Sequence, residues 1–155
     1  MNVTPENIEH VLNENDVCGE PDLLSLQVDG MDFRVWKALS AFRPRVVIAR
    51  TCRPFGVPMH PSAYRIVPIS RRSLSTDLGS IAGPPLPAMV KLARSKDYRL
   101  VGAQRYGFNA VFVRNDVGVG VLPEVQPEDC FHHPFVAWTR ETFLSSVADR
   151  EWVQV

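Results

Sequence analysis

Gln27, Asp29 and Asp32 share one short run, "SLQVDGMDFRVWKAL" (25–39), that reads as a strand, an Asp-Gly turn and a helix. Two acids three residues apart at a strand end suit hydrogen-bond acceptance from a ligand or a weak cation site, and they are candidate catalytic groups. A structural reading competes: Asp29 bonds turn amides and Asp32 caps the helix it opens, each worth about 1 kcal/mol. A second group, Arg50, Cys52 and Arg53, lies just past an apolar strand, where open α/β sheets bind ligands. Paired guanidiniums there suit a carboxylate or phosphate, held bidentately, although two solvated loop arginines would look the same in sequence. Cys52 beside two arginines would have a lowered pKa, but a nucleophilic thiolate also needs a base, and His60 is the nearby candidate.

Other reactive types carry less. His132 and His133 are adjacent, and neighbouring side chains diverge, so they read as loop histidines rather than chelators. Arg71 and Arg72 read as a solvated pair. Tyr64, Trp36 and Trp138 read as core or lid aromatics, with Tyr64 a candidate wall of a ligand pocket.

Several elements must position these groups. "VTPENIEHVLNEN" has Thr4 as N-cap, Pro5 at the first helical position, and Ile8, Val11 and Leu12 at helical spacing. "DLLSLQV" (22–28) is a strand covered on both faces, Gly30 breaks it, and a helix follows with Phe33, Trp36 and Leu39 inward. Pro44 punctuates before Val46, Val47 and Ile48 form a second buried strand. The stretch 52–85 is rich in proline, arginine and serine, and its length suggests a lid. "PAMVKLARSKDY" (87–98) is a helix with Met89, Val90 and Ala93 on one face and Lys91, Arg94 and Lys96 on the other. "RLVGAQ" and "AVFVRN" form an antiparallel hairpin turning near Gly107 to Asn109. Alternating strands and helices imply a largely parallel sheet. The single domain, 1–155, divides into an α/β core (1–119) and an irregular, Pro-rich tail (120–155).

Composition sets outer limits. The 155 residues suffice for one domain, and 45% apolar with 22% charged residues is ordinary for a globular protein. A formal net charge of zero supplies no global field towards nucleic acid or an anionic membrane. With neither a signal-like N-terminus nor a long apolar run, the expectation is a cytoplasmic protein that does not engage membrane. Three cysteines without CxxC spacing indicate reduced, structural thiols.

The ordered set of motifs resembles the FkbM-like group of class I, S-adenosylmethionine-dependent methyltransferases. "SLQVDGMDFRVWKAL" is similar to that group's SIDIDGNDYWVWKAL, "FRPRVVIAR" to YRPRVVVIE, and "MVKLARSKDYRLVGAQRYGFNAVFVRND" to its following helix and hairpin. The closing "WVQV" is a looser match to WVEV. The resemblance implies a Rossmann-like sheet whose last pair is antiparallel, with cofactor held at the C-terminal ends of the first strands. It covers only the family's second half, so the expected fold is a truncated sheet of about four strands, mostly parallel with a terminal antiparallel hairpin, flanked by helices. The glycine-rich turn and ribose-binding acid would lie before Met1.

Departures from the pattern sharpen the expectation. DxDGxD becomes QxDGxD, and the polar residues after the next strand become Ala49, Arg50 and Thr51. Fewer carboxylates and two added arginines disfavour a divalent cation, which needs oxygen ligands. The expected function is therefore a pseudo-methyltransferase that binds a small molecule through Gln27, Asp29, Asp32, Arg50, Arg53 and Tyr64. It would promote a non-methylating isomerisation or cyclisation in a biosynthetic pathway, without a cofactor or metal of its own and without autonomous methyl transfer. Two alternatives stand beside it: a methyltransferase subunit whose S-adenosylmethionine site is completed by a partner chain, and a non-enzymatic interaction module. A strand 23–28 lacking its family neighbour would leave an open edge, so a homodimer or hetero-complex through that edge is expected.

Overall fold

The computed structural model describes residues 3–28, 30–51, 63–64, 84–143 and 153–154. Helix α1 (Ile8–Glu14) follows a turn in which the Thr4 carbonyl accepts the Ile8 N–H at 3.1 Å and Asn7 Oδ1 accepts the Thr4 N–H at 2.7 Å. These bonds close a turn ahead of α1, whose N-cap is Asn7 rather than the expected Thr4 and forms no side-chain cap. Glu9 Oε1 then accepts the Ser40 N–H (2.6 Å), the Ser40 hydroxyl (2.8 Å) and the Ala41 N–H (2.8 Å), fastening α1 to the loop after the next helix.

Strand β1 (Leu23–Leu26) leads through the Gly30 turn into α2 (Asp32–Ala38), and β2 (Val46–Arg50) returns parallel to β1 in the register Leu23 to Val46 and Leu26 to Ala49. Gly30 sits at φ +88°, a left-handed conformation that a side chain would resist. A two-residue strand, β3 (Ala63–Tyr64), pairs antiparallel with β6 (Val153–Gln154). Helix α3 (Leu86–Ser95) precedes the hairpin of β4 (Tyr98–Ala103) and β5 (Asn109–Arg114). A 3-10 turn (Pro127–Cys130) and α4 (Pro134–Phe143) follow.

The main sheet has the order β1-β2-β5-β4. Its β1–β2 ladder is parallel, whereas β2–β5 and β5–β4 are antiparallel. The largely parallel sheet expected from alternating elements is therefore corrected to an open mixed sheet. The reason is that β5 folds back between β2 and β4, so the terminal antiparallel hairpin supplies two of the three ladders and only β1–β2 is parallel. Strands β1, β2 and β4 still run in one direction.

One face carries Leu26, Val47, Ala49, Leu100, Ala110 and Phe112, all buried, under Phe33 and Trp36 of α2 and Leu86, Met89, Val90 and Ala93 of α3. Burying these side chains at roughly 25 cal/mol per Å2 is the main force holding sheet to helices. Trp36 meets Tyr98 edge-on at 5.7 Å and Phe112 at 5.1 Å. The reverse face is half-covered along β2. Leu23 is 54% exposed and Ser25 exposed, so β1 is not covered on both faces as its apolar composition suggested. The segment expected to be an irregular tail holds the 3-10 turn and α4. Its prolines are compatible with both, because Pro127 and Pro134 open them, where a missing N–H costs nothing. Among the described residues no helix is long and apolar enough to cross a membrane.

Candidate functional site

The C-terminal ends of β1 and β2 meet the turn of the β4–β5 hairpin, and the sequence-derived candidates that the structure describes gather there. Residue 109 pairs with Arg50 across the β2–β5 ladder, which places Asn109 beside the end of β1. Gln27 Nε2 donates to Asn109 Oδ1 at 2.9 Å, an exposed bond between residues 82 positions apart. Gln27 thus ties the end of β1 to the start of β5. A carboxylate could accept from an Asn109 amide, but a neutral amide spans this gap without adding charge.

Asp32 lies beneath this surface with no exposure at all. Its Oδ1 accepts the Val28 N–H at a long 3.4 Å, and its Oδ2 is buried without a hydrogen-bond partner among the described residues. Burial pushes its carboxyl pKa up, while the amides of Asp32 itself, Val28, Arg50 and Gly30 pull it back by favouring the charged form. The Arg50 and Gly30 amides act on it from nearby, yet neither meets Oδ2 with hydrogen-bonding geometry. Asp32 does not cap α2 in the expected way: its oxygen reaches back to the strand end instead of forward to a helix amide.

Thr51 closes the floor. Its N–H donates to the Phe108 carbonyl at 2.9 Å and its hydroxyl to the Gly107 carbonyl at 3.2 Å, so the strand end and hairpin turn form one rigid rim. Asn109 and Thr51 were missed as site residues in sequence because nothing in linear spacing joins 27 or 51 to the 107–109 turn. Asp29, Cys52, Arg53, His60, Arg71 and Arg72 lie outside the described residues, and of Tyr64 only the backbone pairing with Val153 is described.

The remaining candidates are placed elsewhere. His133 Nδ1 accepts the Phe135 N–H at 3.1 Å and its ring meets Tyr106 edge-on at 4.8 Å, a loop role. Trp36 is core and Trp138 is 54% exposed on α4. Cys18 is exposed and Cys130 half-buried, both as free thiols. Burial and the neighbouring acids Asp129 and Glu128 raise the Cys130 pKa, which makes it a poor nucleophile. Among the described residues no three His, Cys, Asp or Glu side chains gather as a metal-binding set.

Chemically, the rim offers a neutral amide pair, a guanidinium-bearing residue at the strand end, and a desolvated carboxyl with one unoccupied oxygen. The amides and the guanidinium can orient a small polar molecule, and the Asp32 carboxyl, closed off beneath them, exchanges a proton with it only where the rim opens. Comparison with protein-family profiles, with curated proteins and with solved structures finds no match.

Proposed function

We propose that this chain binds a small polar molecule at the C-terminal ends of β1 and β2, on a methyltransferase-like scaffold adapted to a step other than methyl transfer. The observation that carries the reading is Asp32: a buried carboxyl with an oxygen that meets no hydrogen-bond partner among the described residues, where two parallel strands end. Such a group costs stability, on the order of 1–3 kcal/mol, and a ligand hydrogen bond offsets that cost. Gln27 and Asn109 would hold the polar part of the ligand, Arg50 an anionic substituent, and Asp32 a donor group. An isomerisation or cyclisation needs little more than this: shape, two or three hydrogen bonds and one proton relay. The FkbM-like reading is supported by the order of the motifs and by β1, β2 and β4 running together with β5 opposed to them.

The test is a thermal-shift screen against hydroxy acids, amino acids, sugar phosphates and S-adenosylmethionine. At least one of the first three classes should raise the Tm of the wild type, and Asp32→Asn should abolish that rise. Stabilisers that the Asn variant retains in full, or none at all, would overturn the reading. S-adenosylmethionine binding in the micromolar range, about −8 kcal/mol, would instead restore the methyltransferase reading.

A second reading rests on the edge of β1. Its outer side pairs with nothing among the described residues, and Leu23 projects from it 54% exposed. That edge suits a partner strand from a second copy or another chain, including one that completes a cofactor site.

A further inference from the structure

At the opposite end of the sheet from Asp32, the loop after α2 and the turn after α3 border a cavity of about 250 Å3 that is widely open to solvent. Trp36 and Phe42 form its apolar wall, and Ser40, Arg43, Lys96 and Tyr98 supply its polar groups. Nothing in the crevice chemistry uses it. We propose that this cavity is a second binding site, for a small carboxylate with a compact apolar body, anchored by Lys96.

Three observations lead there. Lys96 is half-buried and donates one N–H to the Leu39 carbonyl at 2.7 Å, a neutral partner that does not balance its charge. Burial lowers its pKa and the nearby Glu9 carboxylate opposes the shift without forming an ion pair with it. The acids around the cavity are engaged with other donors: Glu9 Oε1 takes two amides and a hydroxyl from Ser40 and Ala41, and Asp97 takes Arg43 at 3.5 Å and the Asn115 amide at 2.9 Å. The Tyr98 hydroxyl donates to the Pro44 carbonyl at 2.5 Å, which fixes its ring.

Size and walls then narrow the ligand. Sites for drug-sized ligands occupy roughly 300–1,000 Å3, so this one takes a smaller molecule. The aromatic wall favours a flat or branched apolar body, and the ammonium favours a carboxylate over a neutral isostere. The docked carboxylate would take N–H groups of Lys96 not directed at Leu39, with the Ser40 hydroxyl at the mouth.

The experiment is a titration of the full chain with benzoate, followed through backbone amide chemical shifts, with benzamide as the neutral control. Benzoate should shift Ser40, Ala41, Lys96 and Tyr98 saturably, and benzamide should bind at least about tenfold more weakly, the worth of one charge-assisted hydrogen bond. Lys96→Met should abolish the shifts and Lys96→Arg should retain them. Absent shifts, equal binding of the two probes, or shifts confined to Gln27, Thr51 and Asn109 would overturn the proposal. The comparison of probes on the wild type needs no variant to fold, and because the reporting amides lie at the other end of the sheet, its outcome is separate from that of the crevice.

Discussion

At the scale of single residues, Asp32 carries opposite consequences for stability and for binding. Its folded pKa is raised, chiefly by burial. Between the ordinary carboxylate value and the raised one, the folded chain holds a proton that the unfolded chain has released. Stability therefore falls as pH climbs through that window and stays lower above it. Asparagine keeps an oxygen for the Val28 N–H and carries no charge to desolvate. Asp32→Asn should match the wild type near pH 4 and exceed it at pH 7 by on the order of 1 kcal/mol, measured by urea unfolding across that range. A variant less stable at every pH would mean that the carboxylate is well satisfied in place. Gain of stability with loss of ligand response is the pattern of a residue kept for function. Gln27 shows the other side of residue-scale reading: its neutrality was visible in sequence, but its partner Asn109 was not.

At the scale of elements, the hairpin turn bears on both fold and site. Gly107 adopts φ +74°, and a Cβ there would meet the Phe131 ring at 3.2 Å. Its N–H donates to the Gln104 carbonyl at 2.7 Å, and Gln104 Oε1 accepts the Tyr106 and Phe108 amides. Gly107→Ala should cost about 1–2 kcal/mol in a denaturant titration, and should weaken any crevice ligand as well, because the Gly107 and Phe108 carbonyls hold Thr51. Loss of stability with unchanged ligand response would separate the turn from the site. These elements also show what was legible. Helix α3 and the hairpin were readable because apolar spacing and the Gly107 turn act locally. Helix α4 was obscured by flanking prolines, although Pro134 at its first turn is compatible with helix, and its buried Val136 and Thr139 leave only a narrow inward face. Insertion of β5 between β2 and β4 is a non-local choice that no local pattern encodes. The burial of Asp32 Oδ2, without a partner among the described residues, likewise arises from packing, since the spacing of the two acids suits a turn and cap equally well.

At the scale of the whole molecule, the two edges of the main sheet differ. Along β4, the Leu100 carbonyl accepts the Val125 N–H at 2.9 Å, so the chain itself shields part of that edge. Strand β1 has no such cover among the described residues, and Leu23 adds an exposed apolar side chain to it. Edges of this kind are either blunted by charge or paired. Here Ser25 and Leu23 provide no charge, and the Asp22–Arg45 ion pair at 2.9 Å lies only at the strand's entry. A two-fold dimer would place β1 antiparallel to its own copy and join two four-stranded sheets into one. The mass in solution should then be twice 17.4 kDa, and β1 amides should be protected from hydrogen exchange. Leu23→Lys puts a charge at each end of that short seam while leaving the core face untouched, so it should yield a folded monomer with fast-exchanging β1 amides. A wild-type chain that is already monomeric, with those amides exchanging freely, would remove self-pairing, and a hetero-partner for the same edge would become the remaining form of the idea.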